Sequence, residues 1–129
     1  KRQVWKEWDL HNILQIAYEK GIVMSGVSAG AICWFEKGIT DSFAKELNII
    51  DCLGIVNGIA CPHFDEEKER EPYVNDLIQR EIIEFCICIE GNCALHIKND
   101  FEYSSIDFGN GKKCFKITKG KNNLKKEIF

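Results

Sequence analysis

The stretch Met24–Gly38, MSGVSAGAICWFEKG, sets a serine among glycines between a short apolar run and a segment of helical propensity, and its reading decides the fold. Gly26-Val27-Ser28-Ala29-Gly30 has the form G-x-S-x-G, at a point where a strand is expected to pass directly into a helix. A turn of this kind forces its central residue into strained backbone angles. Flanking glycines are expected because side chains there would collide with the adjoining strand and helix. The serine oxygen then stands at the helix N-terminus, and the Ala29 N–H points into the space an oxyanion would occupy. Two readings of Ser28 stay open at this level: a nucleophile and a helix N-cap.

Upstream, DLHNILQIAYEKG places Leu10, Ile13, Leu14, Ala17 and Tyr18 on one helical face, with Asp9 as N-cap and Gly21 just past the end. Ile22–Met24 reads as a short strand, and AGAICWFEKG as helix up to Gly38. Downstream, ITDSFAKELNIIDCLG reads as loop, with room for a short turn of helix, and IVNGIACPHF as a strand stopped by Pro62. DEEKERE is a charged loop. Pro72 belongs in the first turn of a helix carrying Tyr73, Val74, Leu77 and Ile78 on one face and ending near Glu81–Glu84. EFCICI is a strand covered on both faces, EGN a turn into CALHI, and FEYSSIDF and KCFKIT two further strands separated by GNGK. The basic tail KGKNNLKKEIF reads as a solvated end. The pattern is α/β, with antiparallel strands at the C-terminal end.

Composition narrows the functional classes. With 129 residues, 45% hydrophobic and 29% charged, the chain suits one core and one domain, or part of one. A formal charge of −3 without a clustered basic face argues against nucleic acid as a partner. Nothing approaches the ~18 apolar residues of a membrane span, and KRQVWKEWDLHN lacks the apolar core of a signal peptide; a cytoplasmic location is expected. The seven cysteines are odd in number and mostly sit in apolar runs, as reduced core thiols would. Cys86 and Cys88 are not at the spacing of zinc ligands, so no metal is expected, and no cofactor. Because the chain begins at Lys1 and its one methionine is Met24, the sequence reads as a fragment.

A nucleophilic serine needs a base, and three histidines are available. His11 lies on the polar side of the first helix and His96 is an ordinary strand residue. His63 follows GIACP at a strand end, where α/β sheets carry their sites, and is the preferred candidate. Glu90 ends the strand EFCICI at the turn before Gly91. It is a candidate to orient the imidazole, against the alternative of a solvated hairpin glutamate.

GVSAGAICWFEKGITDS, CPHFDEE and IEGNCALHI, together with the helix LHNILQIAYEKG, resemble in order the peptidase E (aspartyl dipeptidase) family of serine peptidases, which includes dipeptidase E and, more distantly, cyanophycinase. The resemblance implies a Ser28–His63–Glu90 triad and a fold like the class I glutamine amidotransferases, a mostly parallel sheet flanked by helices. It further implies an acyl-enzyme mechanism, with the Ala29 N–H as one oxyanion donor, and short peptides as substrates, dipeptides with an N-terminal aspartate above all. Arg70 is the candidate partner for the substrate carboxylate. Family members carry an N-terminal half with the first parallel strands and a glycine-rich loop, so residues 1–129 are expected to form the C-terminal part of such a domain, inactive by itself, as monomer or homodimer. The alternatives are a non-catalytic binding module of the same fold and a cyanophycinase-like peptidase.

Overall fold

The structure is a computed structural model that describes residues 9–42, 45–98 and 102–129. The N-terminal residues 1–8, residues 43 and 44 of the expected loop, and Phe101 at the head of an expected strand lie outside the described residues.

The first helix, α1 (Leu10–Glu19), forms on the apolar spacing read from the sequence. Its C-terminus closes through two backbone bonds, Gly21 N–H to Tyr18 O at 3.0 Å and Ile22 N–H to Ala17 O at 3.1 Å, which satisfy carbonyls the helix leaves open. Asp9 precedes it as expected but does not cap it with a side-chain bond to backbone; its Oδ1 instead accepts from the Asn12 side chain. None of the α1 residues is buried. The run Ile22–Met24 is not a strand: no strand of the described sheet pairs with it, and a β-strand exists only through its ladder. Val23 is 89% exposed there.

The helix expected from Ala29 to Gly38 stops after one turn. Helix α2 is Ala29–Ile32, and the chain then enters strand β1 (Phe35–Thr40). Tertiary pairing overrides local propensity here: Phe35, Ile39 and Thr40 are buried in the sheet while Glu36 and Lys37 face outward. Part of the expected loop is likewise strand β2 (Asn48–Asp51), antiparallel to β1 from Lys37↔Asp51 to Thr40↔Asn48. Strand β3 (Val56–Cys61) stops before Pro62, as the sequence implied. Helix α3 (Arg70–Gln79) has Pro72 in its first turn and buries Val74, Leu77 and Ile78. It ends two residues before Glu81, because Glu81 adopts a left-handed φ of 58° that cannot continue a helix.

Strand β4 (Phe85–Ile89) is followed by the hairpin β5 (Cys93–Lys98) and β6 (Glu102–Asp107), and then by β7 (Cys114–Lys119). The tail is not a solvated end but an eighth strand, β8 (Leu124–Ile128), antiparallel to β7. It covers a ladder edge that would otherwise stay open, and its own outer edge carries Lys125, Lys126 and Glu127.

The six-stranded sheet has the order β2-β1-β3-β4-β7-β8, while β5 and β6 pair separately. Its three central strands, β1, β3 and β4, run parallel, and β7 and β8 add antiparallel pairings at the C-terminal end, so the fold is α/β as expected. Both faces are covered. On one, Cys61, Cys86, Cys88, Ile39, Phe115 and Ile117 pack against Phe64 and the apolar side of α3. On the other, Ala60, Ile87 and Val56 pack against Ile32, with Leu95 and Ile97 of the hairpin alongside. That double coverage is why EFCICI reads as a continuous apolar run. Among the described residues no helix is long and apolar enough to cross a membrane.

Candidate active site

The two parallel strands β3 and β4 deliver the site. At the end of β3 the chain turns at His63, whose φ is 53°, and the Phe64 N–H donates to Ile89 O at the end of β4 at 3.1 Å. The loop after one parallel strand is thereby tied to the end of the next, the usual place for a site in an α/β sheet.

Ser28 sits just before α2 with φ 55° and ψ −116°, a conformation that a non-glycine residue adopts only when its surroundings impose it. The bonds Gly30 N–H to Val27 O at 2.8 Å and Ala31 N–H to Ser28 O at 2.9 Å hold the turn. Gly26 makes it possible, because a Cβ there would collide with the Gly30 carbonyl. Gly30 differs from expectation: a Cβ at that position would meet nothing within 4 Å. Gly26→Ala is therefore expected to destabilise the protein by about 2–3 kcal/mol, whereas Gly30→Ala should cost little; urea denaturation of the two variants checks the contrast.

The elbow aims Ser28 Oγ at His63, with Oγ 2.8 Å from Nε2. The imidazole is held from its other side by Glu66, whose Oε1 lies 2.7 Å from Nδ1. With Nδ1–H donating to the carboxylate, Nε2 is left as the acceptor for the serine proton. Ser28 makes no side-chain capping bond, so the N-cap alternative has no support in its geometry. Of the remaining histidines, His11 lies on α1 and His96 is exposed on β5; neither bonds to Ser28.

The carboxylate bonded to His63 is Glu66 and not the expected Glu90. Glu90 turns its carboxylate toward the next strand, where Oε1 accepts the Lys113 N–H at 2.9 Å, while the Glu90 N–H faces Lys113 O at 3.4 Å. Glu66 takes the histidine because it lies one turn of chain away and because the residue opposite is Gly91, where a Cβ would fall on the Glu66 carboxylate. Asp65 fastens the two turns together: Oδ1 accepts the Gly91 N–H at 2.8 Å and Oδ2 pairs with Lys112. Burial pushes the Asp65 carboxyl up, but the Lys112 ammonium and the Gly91 N–H outweigh it and hold the group below its ordinary range. The charged loop DEEKERE thus contains three engaged carboxylates, Asp65, Glu66 and Glu67, that its composition alone presented as solvated.

Arg70 also differs from expectation. Its side chain is 3% exposed, with Nε donating to Glu67 Oε2 at 2.8 Å, Nη1 to Ile39 O at 3.3 Å, and Nη2 3.7 Å from Asp41. Its Nη1 also lies 3.9 Å from the Cys61 sulfur, whose thiol burial pushes up to about 12. The guanidinium is occupied as an internal brace between α3, β1 and β3, and not presented to a ligand. Arg70→Met is expected to lower stability by about 1–3 kcal/mol, through the lost charge-assisted bonds. Denaturation midpoints test this, and an unchanged midpoint would show that the guanidinium does not brace the three elements.

A serine in a strained turn, a histidine on its Oγ and a carboxylate on that histidine are thus joined by two hydrogen bonds at the edge of a parallel-centred α/β sheet. Sequence comparison gives the family. The chain belongs to peptidase family S51, whose model matches residues 2–102. It is 40% identical over 114 residues to the uncharacterized peptidase YgaJ of Bacillus subtilis (strain 168), an alignment covering 88% of this chain and 49% of that protein. The chain thus spans about half the length of the curated relative it matches.

Proposed function

We propose that this chain carries the nucleophile and the base of a serine peptidase that hydrolyses short peptides, dipeptides with an N-terminal aspartate foremost. The observation that supports this most directly is the 2.8 Å approach of Ser28 Oγ to His63 Nε2 from a residue held at φ 55°. In the proposed reaction Ser28 Oγ attacks the peptide carbonyl carbon while His63 Nε2 takes its proton. The tetrahedral oxyanion is met by the Ala29 N–H, the first donor of α2, which no carbonyl within the helix can use. Because α2 spans only four residues, the adjacent N–H, more than a long helix dipole, is the donor that counts. His63 returns the proton to the leaving amine, and water attacks the acyl-enzyme by the same route in reverse order. Glu66 holds the imidazole in the tautomer this needs. The aspartate preference rests on the resemblance to aspartyl dipeptidases, and Arg70 contributes nothing to it.

The test is hydrolysis of Asp-Leu by the full-length protein, followed by release of free leucine, together with labelling by a serine-directed fluorophosphonate. Cleavage and labelling that both vanish in Ser28→Ala support the proposal. A folded protein that neither cleaves nor labels would leave the non-catalytic binding module as the better reading.

A further inference from the structure

Outside the site, one pair of side chains carries chemistry that the peptidase reading does not use. The Sγ atoms of Cys93 and Cys114 lie 3.5 Å apart, and neither is in a disulfide. Cys93 opens β5 in the two-stranded hairpin and Cys114 opens β7 in the main sheet, so the sulfurs face each other across the junction of two sheets. We infer that Cys93 and Cys114 form an oxidisable dithiol, a modification site that a low-molecular-weight disulfide converts into a covalent link between hairpin and sheet.

The two sulfurs have different accessibility. Cys93 is partly buried and Cys114 fully buried, and burial together with the neighbouring Cys93 sulfur pushes the Cys114 thiol well up. Cys93 is therefore the attacking group. Its thiolate attacks one sulfur of the small disulfide and expels a small thiolate, leaving a mixed disulfide on Cys93. Cys114 then loses its proton, its sulfur attacks that of Cys93, and the second small thiolate leaves. Two electrons pass from the protein dithiol to the small disulfide, which departs as two thiols. The high position of the Cys114 thiol makes the second step the slower one, so its rate rises with pH.

Hydrogen bonds on both sides of the pair hold the hairpin against the main sheet. The Cys114 N–H is held by Ser105 Oγ at 2.8 Å, from the strand that pairs with β5. Residues Glu90 and Lys113, three and one positions before the two cysteines, are already bonded to each other. The link would thus sit directly behind the turn whose Gly91 seats Glu66, and would tie that turn to β7.

The experiment treats the full-length protein with oxidised glutathione and follows intact mass, tryptic fragments and thermal unfolding. The expected product is lighter than the reduced protein by two hydrogens and yields a cross-link between fragments 81–98 and 114–116 that dithiothreitol reverses. Its melting temperature is expected to rise by several degrees, because the link closes a loop in the unfolded chain. Cys93→Ser, at the partly exposed position, must abolish the cross-link, and Cys33→Ser must leave it. A stable glutathione adduct on Cys93 without the cross-link, or a cross-link that survives Cys93→Ser, would overturn the inference; so would an unchanged melting temperature in the cross-linked protein.

Discussion

Ser28→Ala is expected to lower kcat/KM for Asp-Leu hydrolysis by about 10⁴–10⁶-fold, with no loss of folding stability. The magnitude follows from what the substitution removes. In the proposed reaction the Ser28 hydroxyl forms the acyl-enzyme, and what remains, an oxyanion donor and an imidazole, supports at most a slow direct attack by water. The backbone is unaffected, because the strained conformation at φ 55° belongs to the main chain and not to Oγ. The bonds that hold the turn, Gly30 N–H to Val27 O and Ala31 N–H to Ser28 O, are likewise all backbone. Circular dichroism and a denaturation curve on the variant separate a lost nucleophile from a lost fold. A variant retaining a tenth of the activity would show that Ser28 is not the nucleophile.

Glu66→Gln is expected to lower kcat by about 10²–10⁴-fold with a small change in KM, while Glu90→Gln lowers it no more than about tenfold. The amide keeps the shape of Glu66 and its fit against Gly91, but it no longer stabilises the imidazolium that forms as the serine proton arrives. It can also present its NH₂ to Nδ1, which selects the tautomer with the proton on Nε2 and removes the acceptor that Ser28 needs. Glu90, by contrast, would lose one bond from the Lys113 backbone and remain distant from the proton transfer. The two variants assayed together, with pH profiles of kcat/KM, discriminate the arrangement described here from the Ser28–His63–Glu90 triad that the family resemblance implies. A large loss in Glu90→Gln with a near-normal Glu66→Gln would restore Glu90 to the third place without disturbing the roles of Ser28 and His63.

How far the site could be read from sequence differs residue by residue. Ser28 and His63 were legible because each is marked by local backbone requirements: a glycine two residues before the serine, and a proline ending the strand before the histidine. Such signals are covalent and short-range. Glu66 was hidden in a run of charges, and the one sign of its role, its place three residues after His63, becomes informative only once the turn is known to bend back on itself. The gap that admits it, at Gly91, is contributed by the turn after β4, 25 residues later in the chain. Arg70 was misleading for the complementary reason: a guanidinium beside a site looks like a ligand group until its neighbours, Glu67 and the Ile39 carbonyl, are seen to have taken its donors.

The fold divides along the same line. The amphipathic helix α1, the stop at Pro62, the doubly covered strand Phe85–Ile89 and the α/β class follow from apolar spacing and from residues that cannot continue an element, properties each segment carries alone. The early end of α2, strand β2 and the conversion of the basic tail into β8 depend on partners. A strand gains its hydrogen bonds only from a neighbour, and the neighbours of Phe35, Ile49 and Lys126 are Val56, Ile39 and Ile117. The sequence by itself marked the positions of the serine and the histidine proposed as nucleophile and base. Which carboxylate reaches the base was decided by the tertiary structure alone, because a hydrogen bond of 2.7 Å depends on how two turns from different strands are packed.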